Sequence, residues 1–526
     1  MNIAEHLPIL VIVIPLMSAV IIPVAGRVNS IYSWYIAVAV TLSSFLVSLS
    51  LLNTVMDTGR ISYWLGNWEP PWGIEYSIDY LNAYVLVVVS FIFFIVSLYA
   101  RKSVEKEIDS SKITAFYSIF MLFVTGLMGI VITGDIFNLY VFIEIASLAG
   151  YALIAVGKKR NALMASYNYL ILGTIAATFI VLGIGYLYMV TGTLNMIDLR
   201  DKLPMVYESK VVLTAFAFFT VGLSLKLALF PLHAWLPNAY TYAPSVVSAI
   251  MAATATKVGA YALLRVMFTV FKLEFDLQVV PVTKILIALA LVAIVAGSVI
   301  AIAQTNIRRM LAYSSVGQIG YIVLGAALVN QSSITGSLLH ILNHGLMKGS
   351  LFLVVGAVIY KTGVEDISGL RGMGKKMPFS MAAFTIAGLS MIGVPLTVGF
   401  VSKWYLALGA LSADMWFIIP IILASSLLTA VYFWRIIEGI YFAEPVGAYP
   451  AAVAGYGKRK SGPKGSKPPK SKNSNENNGS FLKDDAPLGL IMPTLVLAAL
   501  CIVFGVGAFI PVSVAEQAAR MLLGGV

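Results

Sequence analysis

About fourteen stretches of this chain are apolar for long enough to cross a hydrocarbon layer of roughly 30 Å, and that sets the fold before any single residue is considered. The runs lie near 8–25, 31–52, 80–100, 112–133, 136–156, 162–190, 211–236, 243–271, 279–304, 309–329, 334–360, 381–410, 415–441 and 487–512. Hydrophobic residues make up 59% of the 526 and charged residues 11%, with a mean hydropathy of +0.90, which excludes an ordinary water-soluble globular chain. Inside lipid, backbone N–H and C=O groups must bond within their own segment, so the expectation is an all-α polytopic membrane protein. The first run has no basic flank and no small-residue cleavage site, so it reads as a retained helix.

Charge in the connecting loops orients the helices. Arg27, the 101–112 segment, Lys158, Lys159, Arg160, Arg308, Arg309 and the 361–376 and 458–483 segments fall on one side by parity, which the positive-inside rule makes cytoplasmic. The opposite side receives Asp57, Glu69, Glu75 and Asp79, and an even number of spans places both termini outside. The net charge of +11 therefore reports topology in the cell membrane and calls for no nucleic-acid partner. The single cysteine, Cys501, excludes disulfides and thiolate-held zinc or iron–sulfur clusters, so no cofactor is expected in this chain and any redox chemistry belongs to partners. The run Gly369-Leu-Arg-Gly-Met-Gly-Lys-Lys376 ends in lysine where a P-loop needs a hydroxyl, and reads as a basic turn.

Glu144, Lys226, Lys257, Lys348 and Lys403, with His340 and His344, stand deep inside apolar runs. A lysine at the middle of a membrane helix costs about 2.5–3.5 kcal/mol to insert, so such groups pair with one another or line a wet path. Glu144 lies about two turns into the fifth run, and Lys226 in the seventh is its natural partner, the two forming a protonation switch or, failing that, a static ion pair. Lys257 falls near mid-membrane in the eighth run, where Thr254, Thr256 and several alanines leave room for water. His340, His344 and Lys348 recur at every fourth position of the eleventh run, hence on one helical face. This stripe suits proton transfer through imidazole better than metal binding, since its third member is a lysine. Lys403 stands in the twelfth run.

Proline placement divides the chain. Pro231 interrupts the seventh run beside Lys226, with His233 at the mouth of the break, and Pro395 interrupts the twelfth beside Lys403. Five spans separate the two breaks, so the interrupted helices run in opposite directions, as two inverted five-helix repeats require. The expected division is 1–105 for helices 1–3, 106–272 for the first repeat, 273–442 for the second, 443–486 for a basic disordered cytoplasmic loop and 487–526 for the last helix.

The stretch Gly222-Leu-Ser-Leu-Lys-Leu-Ala-Leu-Phe-Pro-Leu-His-Ala-Trp-Leu-Pro-Asn-Ala-Tyr-Thr-Tyr-Ala-Pro-Ser-Val-Val-Ser-Ala249, followed by Lys257-Val-Gly-Ala-Tyr261, closely resembles the antiporter-like membrane subunits. These are the large subunits of Mrp-type sodium/proton antiporters, the proton-pumping membrane-arm subunits of complex I, and their counterparts in archaeal membrane-bound hydrogenases. The similarity continues through Ala303-Gln-Thr-Asn-Ile-Arg-Arg-Met-Leu-Ala-Tyr-Ser-Ser-Val-Gly-Gln-Ile-Gly-Tyr321 and the stripe from His340 to Lys348, covering roughly 80–440. It implies fourteen helices with broken helices 7 and 12, a Glu144–Lys226 pair, a relay at Lys257 and a terminal lysine at Lys403, as in the Mrp D-type subunit. It also implies partners: other integral membrane subunits, homologous antiporter-like chains among them, and peripheral iron–sulfur or nickel–iron subunits if the complex is redox-driven. The expected cargo is protons, with sodium left open. The competing expectation is an independent secondary solute transporter with a central substrate pocket, and a third is a passive scaffold.

Overall fold

The computed structural model describes residues 3–272, 275, 281–444 and 485–524. Of the segment 443–486, read above as a basic disordered loop, residues 445–484 lie outside the described residues.

Among the described residues, thirteen helices are long and apolar enough to cross a membrane: Leu7–Val28, Ser30–Thr58, Tyr80–Glu107, Ser110–Ile132, Ile136–Ala155, Arg160–Thr191, Lys210–Leu227, Ser245–Val270, Val282–Ile302, Ile307–Ala327, Gln331–Thr362, Ile418–Phe442 and Leu488–Val506. A further span, twelfth in order, is built from two halves, Pro378–Ile392 and Val398–Ser412. The chain is thus a polytopic all-α membrane protein, and the eleventh span, Gln331–Thr362, is wrapped by neighbours along its length.

Both breaks free backbone carbonyls at membrane depth, and each end is closed by a side chain. The seventh span stops at Leu227, where Ala228 takes the left-handed conformation (φ 61°), and helix resumes only at Leu236–Tyr242. The proline expected to interrupt it lies beyond the helix end, inside the turn. The Leu225 carbonyl accepts from Trp235 Nε1 at 2.9 Å. In the twelfth span Gly393 (φ 92°) ends the first half, and its last carbonyls, on Met391 and Ile392, accept from Lys403 Nζ at 3.1 and 2.9 Å.

The internal repeat is visible in backbone geometry. Asp135 pairs with Asn195 in an isolated antiparallel bridge, and Asn306 pairs with Asp366 in another, each position shifted by 171 residues (135 to 306, 195 to 366). Under the same shift, the bond from Ser166 Oγ to the Tyr151 carbonyl becomes that from Ser337 Oγ to the Ile322 carbonyl, both at 2.7 Å. Gly126 and Gly297 also correspond: a Cβ on either would come within 2.5 and 2.6 Å of the backbone nitrogen of residue 146 and 317 respectively. Close helix approach at a small residue thus recurs in both halves.

Three features were not legible in the apolar runs. A hairpin of β1 (Ile61–Trp64) and β2 (Glu75–Ile78) joins the second and third spans. Of the acidic residues assigned to that outer loop, Glu75 and Asp79 are buried: Glu75 bonds Arg60, Ser62 and Asn195, and Asp79 caps the third span. The C-terminal region, expected as one helix, is two: after Gly507 the chain turns into Phe509–Leu522, whose Pro511, Val514, Ala515, Ala518, Ala519 and Leu522 are buried on one face against the third and eleventh spans.

Candidate functional site

Lys226 occupies the last turn of the first half of the seventh span, where the helix dipole favours a cation. Its Nζ donates to Ser147 Oγ at 2.7 Å and lies 3.7 Å from Glu144 Oε1, so one turn of the fifth span supplies both partners. The carboxylate is the less enclosed member, 28% exposed against 9% for the lysine, and its Oε1 makes no hydrogen bond. Phe137 and Leu148 on the same helix are exposed, so the pair opens on the lateral face of the protein. Behind Lys226 lies a cavity of about 40 Å³, lined by Ser147 and Tyr169 and by Ala255, Val258 and Gly259 of the eighth span. One water needs roughly 10–15 Å³ by this measure, so the space between the two lysine-bearing helices admits water and little else.

Lys257 is fully buried twelve residues after the start of the eighth span, about 18 Å along it. Directly before it the helix widens into a π-turn, Met251–Ala255, and Nζ donates to the Ala252 carbonyl within that turn, with Thr256 Oγ1 at 3.5 Å. The ammonium group is thus held by a carbonyl of its own helix. Ala255 faces the cavity beside Lys226, and the π-turn packs against the eleventh span, where a Cβ on Gly345 would stand 3.2 Å from the Ala253 carbonyl oxygen.

The eleventh span presents His340, His344 and Lys348 on one buried face, with the two imidazoles stacked at 5.9 Å. His340 is held at both nitrogens: Nδ1 lies 2.9 Å from Ser402 Oγ and Nε2 lies 3.0 Å from Gln318 Oε1. With a carbonyl oxygen as acceptor, Nε2 carries the proton and Nδ1 accepts from the serine. Among the described residues His344 has no hydrogen-bond partner at either nitrogen. Lys348 donates to the Leu311 carbonyl at 2.7 Å and to Ser314 Oγ. Lys403 follows Ser402 directly, lies 5.2 Å from the Tyr321 ring centre, and donates to Ser426 Oγ at 2.9 Å besides the two freed carbonyls.

The fold thus brings Glu144 to Lys226, and Lys257, His340, His344, Lys348 and Lys403 into one buried series across the fifth, seventh, eighth, eleventh and twelfth spans. His233 sits apart, half-buried in the turn after Leu227, stacked on Phe230 at 5.1 Å and edge-on to Tyr313 at 6.2 Å. Pro231 and Pro395 lie within the two turns. Among the described residues no group of three metal-ligating side chains exists.

Two ion pairs went unread in the sequence. Arg265 forks onto Asp79 with Nη1–Oδ2 at 2.6 Å and Nη2–Oδ1 at 2.9 Å, tying the eighth span to the start of the third. Arg308, counted above with the loop charges, is buried; it donates to the Ala243 carbonyl at 2.8 Å and to Ser245 Oγ, with Glu107 at 3.9 Å. A charge at the end of an apolar run was the available signal for each.

The family described as NADH:quinone oxidoreductase/Mrp antiporter, TM, matches residues 133–429, a span that contains every charge of the buried series. This chain belongs to that family. Within the NADH:quinone oxidoreductase/Mrp antiporter family it is 47% identical over 437 residues to the NADH-quinone oxidoreductase subunit N of Desulforudis audaxviator, covering 83% of this chain and 86% of the relative. It is 31% identical over 436 residues to the D-type chain of the Na(+)/H(+) antiporter of Bacillus subtilis, covering 83% and 87%. A chain in the structure of the membrane-bound sulfane sulfur reductase, described as an archaeal respiratory membrane complex, superposes with a TM-score of 0.84 at 30% identity, over 98% of this chain and 97% of that one.

Proposed function

We propose that this chain is a proton-translocating subunit of a multi-subunit membrane complex, its cytoplasmic face carrying the basic loops and both termini outside. A proton enters from the cytoplasm near Lys226, moves by Lys257 and the His340–His344–Lys348 stripe, and leaves by Lys403. The relatives support this reading: one is named as a subunit of a quinone oxidoreductase, another as a subunit of a sodium/proton antiporter. They also support other membrane subunits as partners.

The observation that carries the proposal is the asymmetry of the Glu144–Lys226 pair. Glu144 is open to the side of the molecule and its Oε1 lacks a hydrogen bond, whereas the lysine is enclosed and faces a water-sized cavity toward the eighth span. A neighbouring subunit that covers Glu144 and supplies a charge changes the hold of the carboxylate on Lys226, and with it the lysine's tendency to give up its proton inward. One charge crossing 100 mV costs about 2.3 kcal/mol, which the gain or loss of a buried ion-pair partner can supply. The solute-carrier alternative needs a central pocket of roughly 300–1,000 Å³, and the cavity at the lysine is about 40 Å³.

The test is reconstitution of the whole complex into liposomes with an internal pH dye. Glu144→Ala and Lys226→Ala should each abolish proton movement while the complex stays assembled. Intact transport with failed assembly would assign the chain to the scaffold class instead.

A further inference from the structure

Of the residues that line the cavity beside Lys226, only Lys226 itself, Ser147 and Tyr169 carry polar side chains. A buried water needs about two to four polar partners, so any water in this space depends on those three. An ammonium group has three protons to donate; Ser147 Oγ accepts one at 2.7 Å and the Glu144 carboxylate stands at 3.7 Å, which leaves at least one for the cavity.

Tyr169 belongs to the sixth span and is buried. Its ring lies flat on Trp235 at 4.0 Å and edge-on to Tyr151 at 4.6 Å. The far end of the ring reaches the fifth span: Cε1, next to the hydroxyl-bearing carbon, stands 3.6 Å from the place a Cβ on Gly150 would take. Gly150 follows Ser147 by three residues and shares its helical face. The phenol end of Tyr169 is thereby brought to the wall of the cavity that Ser147 supplies, and the missing side chain at Gly150 makes room for it.

The 171-residue shift between the two repeats carries Tyr169 onto His340 and Ser147 onto Gln318 (169 to 340, 147 to 318). It also carries Gly150 onto Tyr321, whose ring lies 5.5 Å from that of His340. In the second repeat the polar pair meets directly, His340 Nε2 lying 3.0 Å from Gln318 Oε1. In the first repeat Ser147 is shorter than glutamine by two bonds, and both members of the pair line the cavity instead.

We propose that Tyr169 is the first-repeat counterpart of His340 and a positioning residue for proton release: its hydroxyl and Ser147 Oγ hold a water against the Lys226 ammonium group. The water takes the ammonium proton as it gives one of its own to the next acceptor in the series, so it remains water and Lys226 is left as the neutral amine. Tyr169 keeps its own proton throughout. The inference rests on the proton-translocation reading above.

The test uses the intact complex in proteoliposomes, with proton movement followed in H2O and in D2O. Tyr169→Phe keeps the ring on Trp235 and removes only the hydroxyl; it is expected to slow transport roughly tenfold, about 1.4 kcal/mol in the barrier, with a larger solvent isotope effect and an unchanged unfolding midpoint. Ala255→Val fills the cavity from the eighth span, leaves Tyr169 untouched, and is expected to slow transport as well. If the ring serves only to prop Trp235, Tyr169→Phe transports fully while Tyr169→Leu loses stability, and that result overturns the proposal; so does a slowed Tyr169→Phe whose isotope effect is unchanged. Should Tyr169→Phe fail to assemble, Ala255→Val decides, full transport overturning the water site. Lys226→Ala is the control: its full activity would sink the proton-translocation reading itself, whereas its inactivity beside a fully active Tyr169→Phe sinks only the role of Tyr169.

Discussion

The Lys403 ammonium group donates to the Ile392 carbonyl at 2.9 Å, so a residue of the second half of the twelfth span closes the end of the first. Under the proposed function, structural and conducting roles therefore coincide in one side chain. Lys403→Met leaves the Met391 and Ile392 carbonyls without a donor, and a buried carbonyl left unpaired costs about 1–3 kcal/mol. Lys403→Gln keeps a neutral donor but holds no transferable proton. Thermal unfolding of the purified complex should show a lower midpoint for Met than for Gln, with transport lost in both. Equal midpoints would mean that the lysine does not cap the half-helix.

Asp79 and Arg265 make a forked, buried pair between the third and eighth spans. Removing one partner strands the other, at a cost of about 3–5 kcal/mol, while removing both is far milder. Asp79→Ala should thus destabilise the protein more than Asp79→Ala combined with Arg265→Leu, as read in a double-mutant cycle of unfolding midpoints. The pair also sets an acid limit. Burial alone would raise the Asp79 carboxyl, but the Arg265 charge and the hydrogen bonds from Arg265, Asn82 and Leu81 outweigh it and hold the carboxyl below its ordinary 3.8. A depressed folded value means that the stabilisation is present above the unfolded value of about 3.9 and is lost as pH falls through the folded value. Unfolding midpoints of the double variant should depend less on pH in the acid range than those of the unmodified protein.

His340 and His344 differ in what their loss would expose. Replacing His340 with leucine orphans Gln318 Oε1 and leaves Ser402 Oγ only its bond to the Gly399 carbonyl, a cost of about 1–3 kcal/mol, whereas His344→Leu removes two nitrogens that bond nothing among the described residues. His344→Leu should leave the unfolding midpoint unchanged or raised, and His340→Leu should lower it. Proton movement in proteoliposomes should slow in both variants.

Why the buried series was legible in the sequence while its surroundings were not follows from residue frequencies in lipid. Glu144, Lys226, Lys257 and Lys403 are conspicuous because charge is rare in apolar runs. Ser147, Ser314, Ser402 and Gln318, which hold the members of that series, are not, because serine is ordinary in membrane helices and its partner depends on tertiary packing. The prolines marked the right neighbourhoods, yet the seventh span ends at Ala228, whose left-handed backbone no alanine announces. Asp79 reads as part of a solvated acidic loop because its partner lies 186 residues away, beyond any local pattern. The π-turn before Lys257 leaves no mark in composition.

Arg308 supplies the last test, because it acts on the broken helix from the opposite repeat. It belongs to the tenth span, yet it closes the end of Leu236–Tyr242 by bonding the Ala243 carbonyl, and it reaches Ser245 Oγ at the start of the eighth span. Glu107 of the third span meets the same point by accepting from Ser245 N at 2.8 Å. This knot fixes the second half of the seventh span, and with it Trp235, which caps the half-helix that carries Lys226. Lysine preserves the charge but lacks the planar fork that serves a carbonyl and a hydroxyl together. Arg308→Lys should therefore assemble and still transport several-fold more slowly, whereas a residue that mattered only for loop charge would tolerate lysine fully. Transport measured in proteoliposomes separates the two: an unaltered rate for Arg308→Lys would remove Arg308 from the positioning of Lys226.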